Sequence, residues 1–489
     1  MLVGWNMLLL ITNIERQTHD VSNKTFGSVE VISFQNAYSG TVVIPTIYKT
    51  CEKRISSYSA TYFTRRRDEM KVPVINDFAA LIGIDWADKK HDVCEIPMDT
   101  NDIQFSVISS TPQALHDWAQ TLKQRYPNQL IAVSCELKKG PLINALSQHE
   151  HITLFPINPS TVAKYRKAFS HSGAKNDPSD ALLQVEILKL HMHKLTPIQL
   201  DSVEIRTLEQ LVIYRRKLVQ ERVDLSNRIT AILKNYYPQV LEWFKEKDTV
   251  IFCDFILKWP TLSLAKKARQ QTLLQFFNQH NSRYADVNEQ RIKDIKAATA
   301  LTNDVAIIEP NKLMIEILLP QLNVLMTGIE SLDKEIKRLY KKQTDSKLFD
   351  SLPGAGPQLA PRLLVAFGSN RKRFNTAAEV QMFAGIAPVI EQSGKKKWTH
   401  WRYSCSKFLR QSFVEWAGQS IRYSFWAKAY YQQQISKGKP HNVAIRSLAF
   451  KWIRIVFRCW KSNQPYDEST YLNVLKERKS PLLKFMVES

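Results

Sequence analysis

Ala80-Leu81-Ile82-Gly83-Ile84-Asp85 decides how the first half of this chain is read. An uninterrupted run of apolar or small residues suits a strand buried on both faces, and an acid directly after it sits at the strand's carboxyl end. Outward from this run, residues 91–97 continue in extended character. Residues 112–126 carry Leu115, Trp118 and Leu122 at helical spacing behind Ser110-Thr111-Pro112, a capped start with proline in the first turn. Residues 130–134 form a second apolar strand, 141–149 a helix and 151–157 another strand. Strands alternating with helices predict a three-layer α/β domain.

Acids recur at the ends of these elements. Glu136 follows the 130–134 strand as Asp85 follows the first. Asp177 and Asp180 lie in Lys175-Asn176-Asp177-Pro178-Ser179-Asp180-Ala181, directly before the apolar-periodic residues 182–190. A spacing of three at a helix start predicts both carboxylates on one face. Taken singly, each acid is explained by a turn or a helix start. Four converging at one sheet edge would repel strongly without cations. Oxygen-preferring Mg²⁺ or Mn²⁺ is the matching partner, and such ions serve phosphodiester displacement.

The charge points to the same substrate class. The 489 residues carry a net charge of +22. Between positions 351 and 461 stand nineteen Lys/Arg against Glu379, Glu391 and Glu415, so +16 of the excess lies in one stretch. That concentration predicts a nucleic-acid surface. The six cysteines are scattered without metal-ligand spacing and read as reduced thiols. No apolar run nears the roughly 20 residues of a membrane span, and residues 1–12 lack the basic flank of a signal peptide. No membrane partner is expected.

Two long charged segments differ from the sheet region. Residues 201–233 place Leu211, Leu218, Leu225 and Ile232 at seven-residue spacing, and residues 321–342 repeat Leu322, Leu325, Ile329, Leu332, Ile336 and Leu339. They predict two arms of an antiparallel coiled-coil hairpin, packed within the chain or forming a dimer seam. Residues 252–291 read as a helical insertion between the arms. From Phe349 onward the chain reads as mainly helical. There Leu352-Pro353-Gly354-Ala355-Gly356-Pro357, ahead of an apolar helix, has the form of a helix-hairpin-helix whose glycines let backbone N–H groups approach a phosphate. Most aromatics among Trp398, Trp401, Tyr403, Trp416, Tyr423, Trp426, Tyr430, Tyr431, Trp452 and Trp460 are expected in a core.

Gly83-Ile84-Asp85-Trp86-Ala87, Glu136 and Asp177-Pro178-Ser179-Asp180-Ala181 together resemble the RuvC-like domain of DEDD transposases of the insertion-sequence 110 family. Residues 352–368, Phe383-Ala384-Gly385-Ile386-Ala387-Pro388, Gln392-Ser393-Gly394 and the basic stretch to Leu409-Arg410 resemble that family's C-terminal transposase domain. The likeness spans about 79–467. It implies a RuvC/RNase H-like domain over 76–200, a coiled-coil region with insertion over 201–345, a mainly α transposase domain over 346–470 and a tail over 471–489. Residues 1–75 stand apart as an N-terminal extension, with the functional chain expected to start near Met70.

The resemblance implies an enzyme that cuts and exchanges DNA strands at element ends and target, guided by a structured non-coding RNA. Asp85, Glu136, Asp177 and Asp180 would hold Mg²⁺ or Mn²⁺, and Ser393 would be the nucleophile. A homodimer assembling to a tetramer is implied, acting in the cytoplasm at the nucleoid. Lys395, Lys396, Lys397, Arg402, Lys407 and Arg410 are the expected nucleic-acid contacts. The chain departs from the family where Leu137-Lys138 replaces Thr-Gly, Asn176 replaces Thr, and Tyr403-Ser404-Cys405-Ser406-Lys407 replaces a Lys-x-Gly-Asn type of run. Two other readings are a RuvC-like metal-dependent junction nuclease and an inactive copy that binds nucleic acid.

Overall fold

A computed structural model describes residues 74–136, 139–169, 177–282 and 284–487. Residues 1–73 of the expected extension lie outside the described residues. The chain divides into two compact units, with the boundary between Ile198 and Gln199.

The first unit contains β1 (Phe78–Asp85), β2 (Lys90–Pro97), β3 (Gln104–Ser109), α1 (Pro112–Arg125), β4 (Leu130–Cys135), α2 (Pro141–Leu146), β5 (Ile152–Pro156), α3 (Pro159–Phe169) and α4 (Asp177–His191). The sheet order is β3-β2-β1-β4-β5. Strand β1 runs antiparallel to β2 and parallel to β4, and β4 is parallel to β5. The apolar run of β1 follows from cover on both faces. Ala80, Ile82 and Ile84 join Val93, Ile131 and Val133 against Leu115 and Leu122 of α1 and Leu142 of α2. Leu81, Cys94 and Ala132 pack on the other face against Ala181, Val185 and Leu188 of α4. The edge strand β3 escapes sequence reading because Phe105 and Val107, its strand-forming residues, face solvent at 55% and 58% exposure.

The second unit begins with α5 (Val203–Tyr236). Among the described residues, five short helices, α6 to α10, follow within 240–297. They close an aromatic core of Trp243, Phe252, Phe255, Phe276 and Phe277. Helix α11 (Val305–Lys341) then returns along α5. Arg215 Nη2 meets Asp333 Oδ2 at 3.1 Å, and Arg228 meets the Met314 sulfur at 4.0 Å, so the arms are antiparallel. The second arm starts sixteen residues earlier than the expected 321, because the helix continues through Pro310 and Pro320. Both prolines lie on the exposed side, where freed carbonyls can meet water. By length and composition α11 would suffice to cross a membrane. Here one face buries Ile315, Leu318, Leu322, Ile329 and Ile336.

The remainder holds α12 (Ser346–Asp350), α13 (Gly356–Phe367), α14 (Ala377–Phe383), β6 (Val389–Ser393), β7 (Lys396–His400), α15 (Lys407–Ser420), α16 (Phe425–Ser436), α17 (His441–Ser462), α18 (Glu468–Glu477) and α19 (Lys484–Val487). Helix α13 is its central element, with Leu359 to Phe367 all buried. Trp452 lies between Trp416 and Trp426, with ring centroids at 4.8 and 4.5 Å. These three and Trp460 are fully buried, as expected of helical aromatics. Trp398, Trp401, Tyr403 and Tyr423 are exposed instead. The segment expected as a tail supplies Leu475 and Leu482 to the core.

The glycine turn between α12 and α13 does different work from that expected. Gly354 has φ +73°, and a Cβ there would come within 2.9–3.0 Å of the Gln419 and Ser420 backbone. Its smallness therefore admits α15, and Trp416 Nε1 donates to the Pro353 carbonyl at 3.0 Å. Gly356, with nothing within 4 Å, keeps the open approach expected of the motif.

Candidate active site

Asp85 is the last residue of β1, and Glu136 directly follows β4. The parallel register pairs Ile84 with Cys135, so the next step along both strands sets Asp85 level with Glu136. Ile84 and Cys135 belong to the α1 face. Strand alternation therefore assigns Asp85, with Leu81 and Gly83, to the face covered by α4. Gly83 shows how close that cover is. A Cβ on it would lie 2.1 Å from the Ala181 carbonyl oxygen and 2.7 Å from Val185 N. Glycine is what allows α4 to lie on β1, and Asp180 is the residue before that contact.

Asp180 is only 3% exposed, whereas Asp177 is exposed. The two do not share an environment as spacing alone predicts: Asp177 opens the helix, and Asp180 is already at the sheet. Both lie in the first turn, where the helix N-terminus favours negative charge.

A further acid was not singled out in the sequence. Asp92 of β2 is the antiparallel partner of Asp85 and lies on the same face as Cys94, which packs against α4. It is 5% exposed, with Lys90 Nζ at 3.8 Å. The period-two pattern of residues 91–97 is the signal that would have found it. Its neighbour His91 is buried on the opposite face, and desolvation holds its pKa below the ordinary value.

A carboxylate as buried as Asp180 requires a cation. Arg166 of α3 supplies one, its Nη2 donating to Asp180 Oδ1. Among the described residues, no three His, Cys, Asp or Glu side chains are drawn together closely enough to hold a metal ion. The donor set nonetheless suits Mg²⁺ or Mn²⁺, being carboxylate oxygen at neighbouring strand ends beside a buried acid.

Ser393, the expected nucleophile, lies on the β6–β7 hairpin of the second unit. Its ladder pairs Ser393 with Lys396, leaving Gly394 and Lys395 as a two-residue turn. Gly394 has φ +57°, the conformation a glycine-first hairpin turn demands. Ser393, Lys395, Lys396 and Lys397 are all exposed, and Lys396 shares the serine's face of the hairpin. The sequence singles out Gln392-Ser393-Gly394 but gives no sign of the hairpin, whose strands have almost no buried side.

The hairpin is held at its base. Arg446 Nε donates to Ile386 O at 3.1 Å and Nη2 to Gly385 O at 2.8 Å. Its guanidinium lies 3.6 Å from the Trp401 ring centroid, and Arg410 stands 4.8 Å from the same ring. Burial, then neighbouring Arg410 and Arg402, lowers the Arg446 pKa from its ordinary value. Arg402 Nε donates to Ala387 O and Arg410 Nη1 to Arg402 O, each at 3.1 Å. Two of the expected nucleic-acid contacts thus already brace this loop. Lys407, at the start of α15, is exposed.

Comparison with known proteins places two family matches on these regions. A transposase model of the DEDD, insertion-sequence 110 type matches residues 82–238, and a model described as transposase, IS116/IS110/IS902 family, matches 346–432. The mini-circle putative transposase for IS117 of Streptomyces coelicolor is 27% identical over 393 residues, covering 79% of this chain and 95% of the relative. An uncharacterized 43.6 kDa protein of insertion element IS110 from the same organism is 24% identical, covering 60% and 72% respectively. An uncharacterized 44.8 kDa protein of IS116 from Streptomyces clavuligerus is 22% identical, covering 61% and 73%.

Proposed function

Because the chain belongs to the IS110 family of transposases, DNA-cleaving enzymes, we propose that it cuts and exchanges DNA strands with a RuvC-like carboxylate site and a serine nucleophile. The observation that carries this reading is the β1–β4 register, which sets Asp85 beside Glu136 under the helix bearing buried Asp180. Asp85, Glu136, Asp177 and Asp180 would hold the divalent ion, with Asp92 as a neighbouring acid. Bound there, Mg²⁺ or Mn²⁺ supplies charge neutralisation for phosphodiester chemistry.

Ser393 Oγ attacks the phosphorus, its proton passing to a base. A phosphoserine–DNA bond forms as the P–O bond to the leaving deoxyribose breaks, and that oxygen takes up a proton. Attack by a hydroxyl of the second DNA reverses these changes and frees the serine, so the exchange needs no external energy source. Lys395, Lys396 and Lys397 neutralise the backbone around the hairpin, and Lys407 extends the cationic surface. Trp398 and Tyr403 offer exposed rings for bases of DNA or of the proposed guide RNA. Pro310, Leu313, Ile317, Pro320 and Val324 follow heptad spacing on the outer side of α11, with Leu313, Ile317 and Val324 at 60%, 50% and 71% exposure. That stripe supports a homodimer, from which a tetramer would assemble. The proposed workplace is the bacterial cytoplasm at the nucleoid.

The test is incubation of the full chain with its guide RNA, element-end DNA and Mg²⁺, followed by denaturing electrophoresis. The expected result is a protein–DNA adduct that Ser393→Ala abolishes and Asp85→Asn reduces by about a thousandfold or more. Full cutting by Ser393→Ala without any adduct would favour the junction nuclease. Binding without cutting under every condition would favour the inactive copy.

A further inference from the structure

Among the described residues, the Arg166–Asp180 contact differs from the arginine pairs of two other buried carboxylates, Asp345 and Glu95. Arg371 grips Asp345 with both arms, at 2.6 and 2.7 Å. Arg125 reaches both oxygens of Glu95 at 2.9 Å, and Tyr126 completes that carboxylate's bonding at 2.7 Å. Arg166 instead uses Nη2 alone on one oxygen of Asp180, and its Nε is buried without a hydrogen-bond partner. A guanidinium has five donors arranged to match a carboxylate in two-pronged fashion. Leaving a buried donor open costs stability, so this pair is poorly made as a structural clamp. What it does supply is positive charge, at 18% side-chain exposure, to a carboxylate whose own side chain is 4% exposed.

We infer that Arg166 is an internal counter-ion that takes the place of the divalent metal on Asp180 and competes with it for that carboxylate. The inference rests on the metal reading of the four acids. Burying the Asp180 carboxylate with no cation facing it would be costly, and Arg166 is the cation that faces it. With a metal on the same oxygen, the guanidinium and the ion repel at short range and Arg166 must withdraw. Loading then includes the work of breaking the ion pair, which guards the site against permanent occupancy. Arg166 is in this sense a positioning residue: it acts on the site through Asp180. The alternative geometry, in which Arg166 stays on Asp180 and orients it for the metal, makes the opposite prediction about affinity.

The experiment uses the full chain without DNA and Mn²⁺ as the probe, with binding followed by calorimetry and by the Mn²⁺ spin-resonance signal. Arg166→Gln is expected to tighten Mn²⁺ binding by about tenfold, because the fraction of Asp180 free to bind rises. It is also expected to widen the gap between melting temperatures in Mn²⁺ and in chelator. If Arg166→Gln folds only when Mn²⁺ is present, the competition is supported. If it stays unfolded in saturating Mn²⁺ while Arg166→Gln/Asp180→Asn folds, the metal does not replace the guanidinium and the inference falls. Unchanged or weaker Mn²⁺ binding in Arg166→Gln, with binding lost in Asp85→Asn, overturns the competition and leaves the metal site standing. Absence of any Asp85-dependent Mn²⁺ binding in both forms removes the metal reading and this inference with it.

Discussion

Two β-hairpins of this chain, β1–β2 and β6–β7, carry residues of the same proposed chemistry in opposite settings. The first is covered by helices on both faces, and its acids are positioned by register and by a helix resting on Gly83. The second stands in solvent with Ser393 beside its turn and is fastened at its base by Arg446 and Trp401. Carboxylates that must share cations need fixed mutual spacing, which a packed sheet provides. A nucleophile that must enter and leave a DNA backbone needs access, which an exposed turn provides. Changes in the first hairpin should therefore cost stability and activity together. In the second, activity should fall with little loss of stability.

Gly83→Val tests the contrast most severely. Its Cβ would overlap the Ala181 carbonyl, so unfolding free energy is expected to drop by about 3 kcal/mol or more. Urea denaturation followed by far-UV circular dichroism measures this, and a loss under 1 kcal/mol would mean that α4 is free to shift. Arg446→Met comes next, removing the bonds to Gly385 and Ile386 and the stack on Trp401 for about 2 kcal/mol. Limited proteolysis should then cut within 389–400 while the arms stay intact. Gly394→Ala forces an alanine to φ +57° in otherwise open space, at about 1 kcal/mol. Adduct formation should fall more than stability does, with the ratio of the two read by gel and by thermal melting. Ser393→Ala is the limiting case. Its melting transition should move by no more than about 0.5 kcal/mol equivalent, since the side chain is exposed.

The legibility of these regions followed their burial. Strands β1, β4 and β5, helices α1 and α2, and the heptads of α5 were readable because burial writes a period into the residues. Strand β3 and the β6–β7 hairpin were not, since exposed Phe105, Val107 and Ile390 obey no inward–outward contrast. Helix α11 was read short because Pro310 and Pro320 are local stop signals that its packing against α5 overrides. Asp92 was passed over because nothing in a single strand says which acid faces its neighbour's acid. Arg166 was missed for the same reason, its partner being fourteen positions away on another helix.

By itself the sequence determined the chemistry available: four spaced acids at element ends, a Ser-Gly pair beside lysines, and a basic C-terminal stretch. These are properties of residue type and local period, which need no knowledge of the fold. Tertiary structure alone decided which acids are neighbours, which of them is buried, and which cation meets it. Register, helix cover and ion pairing join residues far apart in the chain, and only close packing settles them. Asp180 shows the difference most plainly, written as a helix-start acid in the sequence and turned by Gly83 and Arg166 into a buried charge held by a counter-ion.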